Sequence, residues 1–364
     1  MALTSTPKGD GFTSCGEFED HQGTIMMFPE RPDIWRNNAA NAQKLIIDIA
    51  NIIINYEQVF FCVKPHLASL VKEKLDSKIQ LILIEYDDIW ARDIAPNFVV
   101  KNNEIRSVCW GFNSWGGLKD GAYYPWNKDA AFARTLSDIL GIKKYIVDNV
   151  VLEGGAVIVD GQGTLFTTKN VLLNKNRNPS ITLPQMEKYL CDYFCVEKII
   201  WFDEGLVSDE TDGHIDNVCS FVKPNEVCLA WTDNENNPQN IVSQRAYDLL
   251  VNSRNSVGSK YVIHKLPIPE PQFLTAQEEA ELIQKFNSTN RIEGFQLVPS
   301  YLNYYLFNSA LLFPAFGCEE DSIACQMIKQ VYPEREVIQM DCREPLIGGG
   351  GFHCILHEIP NAFI

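Results

Sequence analysis

One local pattern recurs often enough to restrict the fold: an apolar strand, a short turn and a second apolar strand. It occurs from Phe98 to Val108, from Ala156 to Phe166 with an Asp160-Gly161 turn signal, from Phe221 to Leu229, and from Tyr304 to Phe313. These hairpins begin about 60 to 80 residues apart. Between them lie stretches with helical spacing: Asn41 to Tyr56, Gln185 to Cys195, Val242 to Asn252 and Ala324 to Val331. Single apolar strands are expected at Val59 to Val63, Lys198 to Trp201, Tyr261 to Leu266 and Glu336 to Met340. The unit is helix, strand, loop, hairpin, and the length of the chain accommodates roughly five. A doubly wound sheet does not call for hairpins of one form at this spacing. The pattern therefore predicts a radial α/β arrangement of one domain over residues 1–364, with the loops that enter the hairpins facing a common axis.

Composition narrows the function. The 364 residues are 46% hydrophobic and 21% charged, as in a globular protein, and carry a formal net charge of -16. So acidic a chain repels nucleic acid and anionic lipid and attracts a small cation. The apolar run Ile79 to Ile84 falls far short of the ~18 residues of a membrane span. The opening residues, Met1 to Lys8, contain no apolar leader, and the eleven cysteines show no paired spacing. A cytoplasmic protein with reduced thiols is expected. Cys191 and Cys195 are half a metal site at most, and with no second pair or nearby histidine they read as one face of a helix.

The unusual polar residues stand just ahead of the hairpins. Trp90-Ala91-Arg92-Asp93 precedes the first, Leu152-Glu153-Gly154-Gly155 the second, and Gly213-His214-Ile215-Asp216 the third. Gly348 to Gly351, then Phe352-His353-Cys354, holds the fifth position, and a glycine run suits backbone that approaches something closely. A radial fold brings Asp93, Glu153, His214, Asp216 and Cys354 into one pocket. Three carboxylates would repel an anionic substrate and oppose a thiolate, but they suit a guanidinium, which is planar and has five donors. His214 can serve as acid and base, Cys354 as nucleophile, and Trp90 can cover a flat cation. His214 and Asp216 also have the spacing of a metal pair, but nothing demands a third ligand.

At these positions the chain resembles the agmatine deiminases of the guanidino-group-modifying superfamily. The matching segments include Asp10-Gly11-Phe12, Gly16-Glu17-Phe18-Glu19, Phe28-Pro29-Glu30-Arg31-Pro32, Phe112 to Gly117, and Asp160 to Thr164, besides the motifs above. The resemblance implies a five-bladed α/β propeller. It implies Cys354 as nucleophile, His214 as general acid and base, Asp93 and Asp216 as the grip on the guanidinium, and Glu153 as the residue orienting His214. Glu210 would meet the distal amine of agmatine, with Trp90 and Trp115 lining the channel. No metal or organic cofactor is implied, and the family often forms homo-oligomers. The chain departs from the pattern at Ala95, at Asp212, at Leu356-His357-Glu358 and at Gly351, where an asparagine is usual and would touch loop or substrate. Deimination of arginine or peptidyl-arginine, amidino transfer, and binding of a guanidine or polyamine without turnover are the competing readings.

Overall fold

The computed structural model describes residues 2–362 and is a mixed α/β fold. Its repeating element is larger than a hairpin. Two antiparallel strands are followed by a helix and a third strand parallel to the second. Strands Asn97–Lys101 and Glu104–Gly111 are completed by helix Asn127–Ile139 and strand Lys143–Val151. Val157–Val159 and Thr164–Thr168 are completed by helix Leu183–Tyr193 and strand Lys198–Phe202. Cys219–Lys223 and Glu226–Trp231 are completed by helix Gln239–Asn252 and strand Val262–Pro267. Tyr305–Phe307 and Ala310–Ala315 are completed by helix Glu320–Val331 and strand Glu336–Asp341.

The remaining unit joins the two ends of the chain. Strand Leu356–Pro360 pairs antiparallel with His21–Met27, which is followed by helix Ala40–Ile53 and the parallel strand Gln58–Val63. The strand that follows Cys354 is therefore held by a ladder to the N-terminal region, with no contiguous turn connecting the two strands.

Local sequence accounts for these elements. Asn102 and Asn103 adopt left-handed φ values of 47° and 65° between the paired Lys101 and Glu104, a turn asparagine tolerates and one that matches strand twist. Helix Ala40–Ile53 buries Ala42, Ile46, Ile49 and Ile53, spaced three to four apart. Ala310–Ala315 lies between an antiparallel and a parallel neighbour and is buried almost throughout, hence its unbroken apolar run. Among the described residues no helix is long and apolar enough to cross a membrane.

The fold places short turns ahead of the hairpins. Ala91–Ile94, Gly154–Ala156, Ile215–Asn217 and Phe352–Ile355 are single helical turns, each just before the first strand of its unit. In the unit beginning at Tyr305 the matching segment is Ser300 to Tyr304.

Candidate active site

The glycine run is tightly held. Gly348 ends the helix Arg343–Gly348, Gly349 takes a left-handed φ of 112°, and Gly351 precedes the turn Phe352–Ile355 that carries Cys354. A Cβ on Gly350 would stand 2.7 Å from Trp90 and 2.9 Å from Cys354 Sγ, so glycine lets the backbone pass between the thiol and an aromatic wall. Cys354 itself is buried. Burial raises its pKa well above the ordinary thiol value, and the Asp216 and Asp93 carboxylates raise it further. The resting group is a thiol, in line with the expectation that the carboxylates oppose ionisation.

Asp93, Glu153, His214 and Asp216 do converge. A Cβ on Gly155 would lie 2.6 Å from His214 Nδ1, 2.9 Å from Asp216 Oδ2 and 3.1 Å from Asp93 Oδ1. Asp93 accepts hydrogen bonds from the Gly155 N–H at 2.9 Å and from Trp115 Nε1 at 2.8 Å. Burial raises the Asp93 pKa, against the opposing pull of His214. Arg177, which the sequence analysis did not single out, donates from Nε to Glu153 Oε1 at 2.7 Å. His214 stands 3.9 Å from Asp93 and 4.0 Å from Glu153, too far for Glu153 to orient it through a direct hydrogen bond. Three buried atoms here, Glu153 Oε2, Asp216 Oδ1 and His214 Nε2, have no hydrogen-bond partner among the described residues. Native interiors leave few polar atoms in that condition, so each calls for an explanation.

Cys354 and Asp93 line a narrow pocket of about 30 Å³ together with Trp90, Trp115, Tyr123, Glu210 and Arg291. Trp90 stacks on Trp35 with ring centres 5.4 Å apart and meets Trp115 edge-on at 6.0 Å. Glu210 reaches this pocket as expected, but not as a free acid: Arg291 donates to both its oxygens, at 2.8 and 2.9 Å. Asp212 turns away to Arg177 and Asn174.

Gly351 packs against Asn303. A Cβ there would come within 2.4 Å of Asn303 Oδ1. That same oxygen lies 3.4 Å from both the Cys354 backbone N and Sγ, and the Asn303 carbonyl accepts from the His353 N–H at 3.2 Å. The amide beside the Cys354 thiol thus comes from Asn303. It occupies the pre-hairpin position of the unit beginning at Tyr305, a place that the repeat alone could have marked.

Behind the thiol is a second cluster. Arg92 pairs with Glu17 at 2.9 Å and with Glu358 at 2.8 Å. His353 bonds Asp216 Oδ2 through Nδ1 at 2.8 Å and Glu17 through Nε2 at 2.9 Å. Burial and Arg92 oppose protonation of His353, but Glu17 and Asp216 prevail and raise its pKa to about 9. Burial lowers the pKa of His357 to about 4, leaving a neutral ring beside the Pro96 carbonyl at 3.0 Å. The departures at 357 and 358 therefore lie behind the site, not in the pocket.

The described residues hold no cluster of three or more histidine, cysteine or carboxylate side chains arranged to bind a metal ion. Residues 13–360 match the Porphyromonas-type peptidyl-arginine deiminase family, to which the chain belongs. It is 42% identical over 360 residues to the agmatine deiminase of Pseudomonas aeruginosa, covering 98% of each chain. It is 41% identical over 360 residues to that of Ectopseudomonas mendocina, again covering 98% of each. The structure of an agmatine deiminase of Enterococcus faecalis superposes with a TM-score of 0.95 at 34% identity, covering 99% of both chains.

Proposed function

We propose that this chain is an agmatine deiminase that converts agmatine and water to N-carbamoylputrescine and ammonia. The observation that carries the reading is the set of unpartnered buried atoms on Glu153, Asp216 and His214, with Asp216 acting electrostatically on the Cys354 thiol. Two carboxylate oxygens and an imidazole nitrogen suit a flat, donor-rich cation. Trp90 and Trp115 give that cation aromatic walls. A bound guanidinium also offsets the carboxylates that disfavour the thiolate.

The chemistry then balances in two halves. As Sγ of Cys354 attacks the guanidinium carbon, the thiol proton passes to His214. His214 returns that proton to an amino group, the C–N bond breaks, and ammonia leaves a thiouronium on Cys354. Water attacks the same carbon and gives a proton to His214. The C–S bond breaks with its electron pair returning to sulfur, which His214 reprotonates. The protonated ureido product loses its extra proton to ammonia. Asp93 and Asp216 hold the cation throughout, and Glu153 supports it from the partner side of His214.

A deiminase of free arginine would need a cation for the α-carboxylate. Arg291 lines the pocket, but Glu210 already engages it, so the pair favours a substrate without a carboxylate. The reading includes a single domain with five blades around an axis, a cytoplasmic location and self-association, which light scattering can test. Incubation with agmatine, arginine and a peptidyl-arginine, following ammonia, ureido product and the mass of Cys354, tests the activity. Turnover of agmatine alone supports the reading, and binding without ammonia release overturns it.

A further inference from the structure

A second cavity of about 60 Å³ lies behind the thiol. Asn97, Val159, Ser220, Leu306 and Glu358 line it, one from the first strand of each hairpin. Gly154, Asp216 and His353 line its side toward the active site. The Asp216–His353 hydrogen bond of 2.8 Å forms a partition there: His353 immediately precedes the nucleophile, and Asp216 acts electrostatically on its thiol. Glu17 and Glu358 also line the cavity, and their side chains remain 23% and 20% exposed despite their ion pairs with Arg92. The cavity walls therefore present polar surface that a water inside the cavity can contact. The space exceeds the roughly 10–15 Å³ that a cavity needs to hold a water.

The pocket on the other side is half that size and has bulky walls in Trp90, Trp115 and Tyr123. In the deiminase reading, on which this inference rests, the substrate chain fills that pocket and stays there once its amidino carbon is bonded to Sγ. Ammonia has left, yet a water must still reach the carbon. We propose that this water arrives through the central cavity, past Asp216 and His353. It attacks the amidino carbon, passes a proton to His214, and the C–S electron pair returns to sulfur.

Val159 lines the cavity and belongs to neither the pocket nor the ionic cluster, so filling the cavity there tests the route. Val159→Phe and Val159→Trp narrow it, and Val159→Ala widens it. A rapid-quench single turnover with agmatine reads ammonia, the Cys354 adduct by intact mass, and ureido product. The expected result is an unchanged ammonia burst with adduct hydrolysis slowed at least tenfold in the tryptophan variant, less in the phenylalanine variant and not in the alanine variant. An unchanged burst also shows that the filled variants are folded, and Ile158→Phe repeats the test if Val159→Trp is not. Hydrolysis at the native rate in the filled variants overturns the proposal. So does slowing confined to the burst, which would make the cavity a path for ammonia. If the unaltered protein shows neither ammonia nor adduct, the deiminase reading itself fails.

Discussion

Two buried histidines flank Asp216, and they differ in how fully they are bonded. His353 uses both ring nitrogens, toward Asp216 and Glu17, and belongs to a cluster in which Arg92 and Glu358 are also paired. His214 stands 3.9 to 4.0 Å from its nearest carboxylates, and its Nε2 has no partner among the described residues. Both are histidines among carboxylates. The satisfied one is fixed in its frame, and the unsatisfied one leaves a ring nitrogen open to a ligand.

The comparison breaks most severely if the unsatisfied side proves dispensable. Cys354→Ala should release no ammonia above background, and His214→Asn should lower kcat by about 10²–10⁴-fold, the usual range for a general acid or base. Neither should move the melting temperature by much, because neither side chain makes a hydrogen bond to a carboxylate. A coupled ammonia assay and a thermal melt check both. On the satisfied side the losses should exchange places. His353→Gln leaves the buried Asp216 without its cation, while Glu17 keeps Arg92, and should destabilise the fold by about 3 kcal/mol as read by urea unfolding. Its residual activity, measured on the folded fraction, should exceed that of His214→Asn.

The two regions were unequally legible in the sequence. Hairpin turns and helical periodicity are local, so the repeated unit was visible from spacing alone. Pairing of Leu356–Pro360 with His21–Met27 connects opposite ends of the chain and leaves no local turn signal. Cys354, His214, Asp93, Glu153 and Asp216 stood out because their motifs precede hairpins. Arg177, Arg291 and Asn303 did not, because their roles depend on contacts across 24, 81 and 51 residues. The glycine run was recognisable as a close approach, but sequence could not say that Asn303 faces Gly351.

A pH series sharpens the contrast further. The folded-state pKa of His353 is raised to about 9 from its ordinary 6.5, so the folded state holds the proton more tightly. Its contribution is fully present below pH 6.5 and is lost as pH rises through 9. The loss is on the order of 3 kcal/mol. Urea midpoints should fall across that window in the unaltered protein, and the part of the fall due to this ring should vanish in His353→Gln. An identical fall in both would show that His353 is not the group being titrated.

The smallest effect concerns the amide that connects the two regions. Asn303 holds His353 through its carbonyl and Cys354 through its side-chain oxygen. Asn303→Ala removes the side-chain contact but keeps the carbonyl, and should lower kcat about tenfold while leaving the His353 network intact. Gly351 has an extended φ of -127°, so alanine there costs no backbone strain, but its Cβ would lie 2.4 Å from Asn303 Oδ1. Gly351→Ala should therefore displace the amide and reproduce the loss in kcat. With Asn303→Ala already in place the opposing oxygen is gone, and adding Gly351→Ala should cost less than about twofold more. Contacting residues couple in this way, and a double-mutant cycle on kcat measures the coupling. Equal costs of Gly351→Ala in both backgrounds would sever glycine and asparagine, and with them the packing of Asn303 against the Cys354 turn.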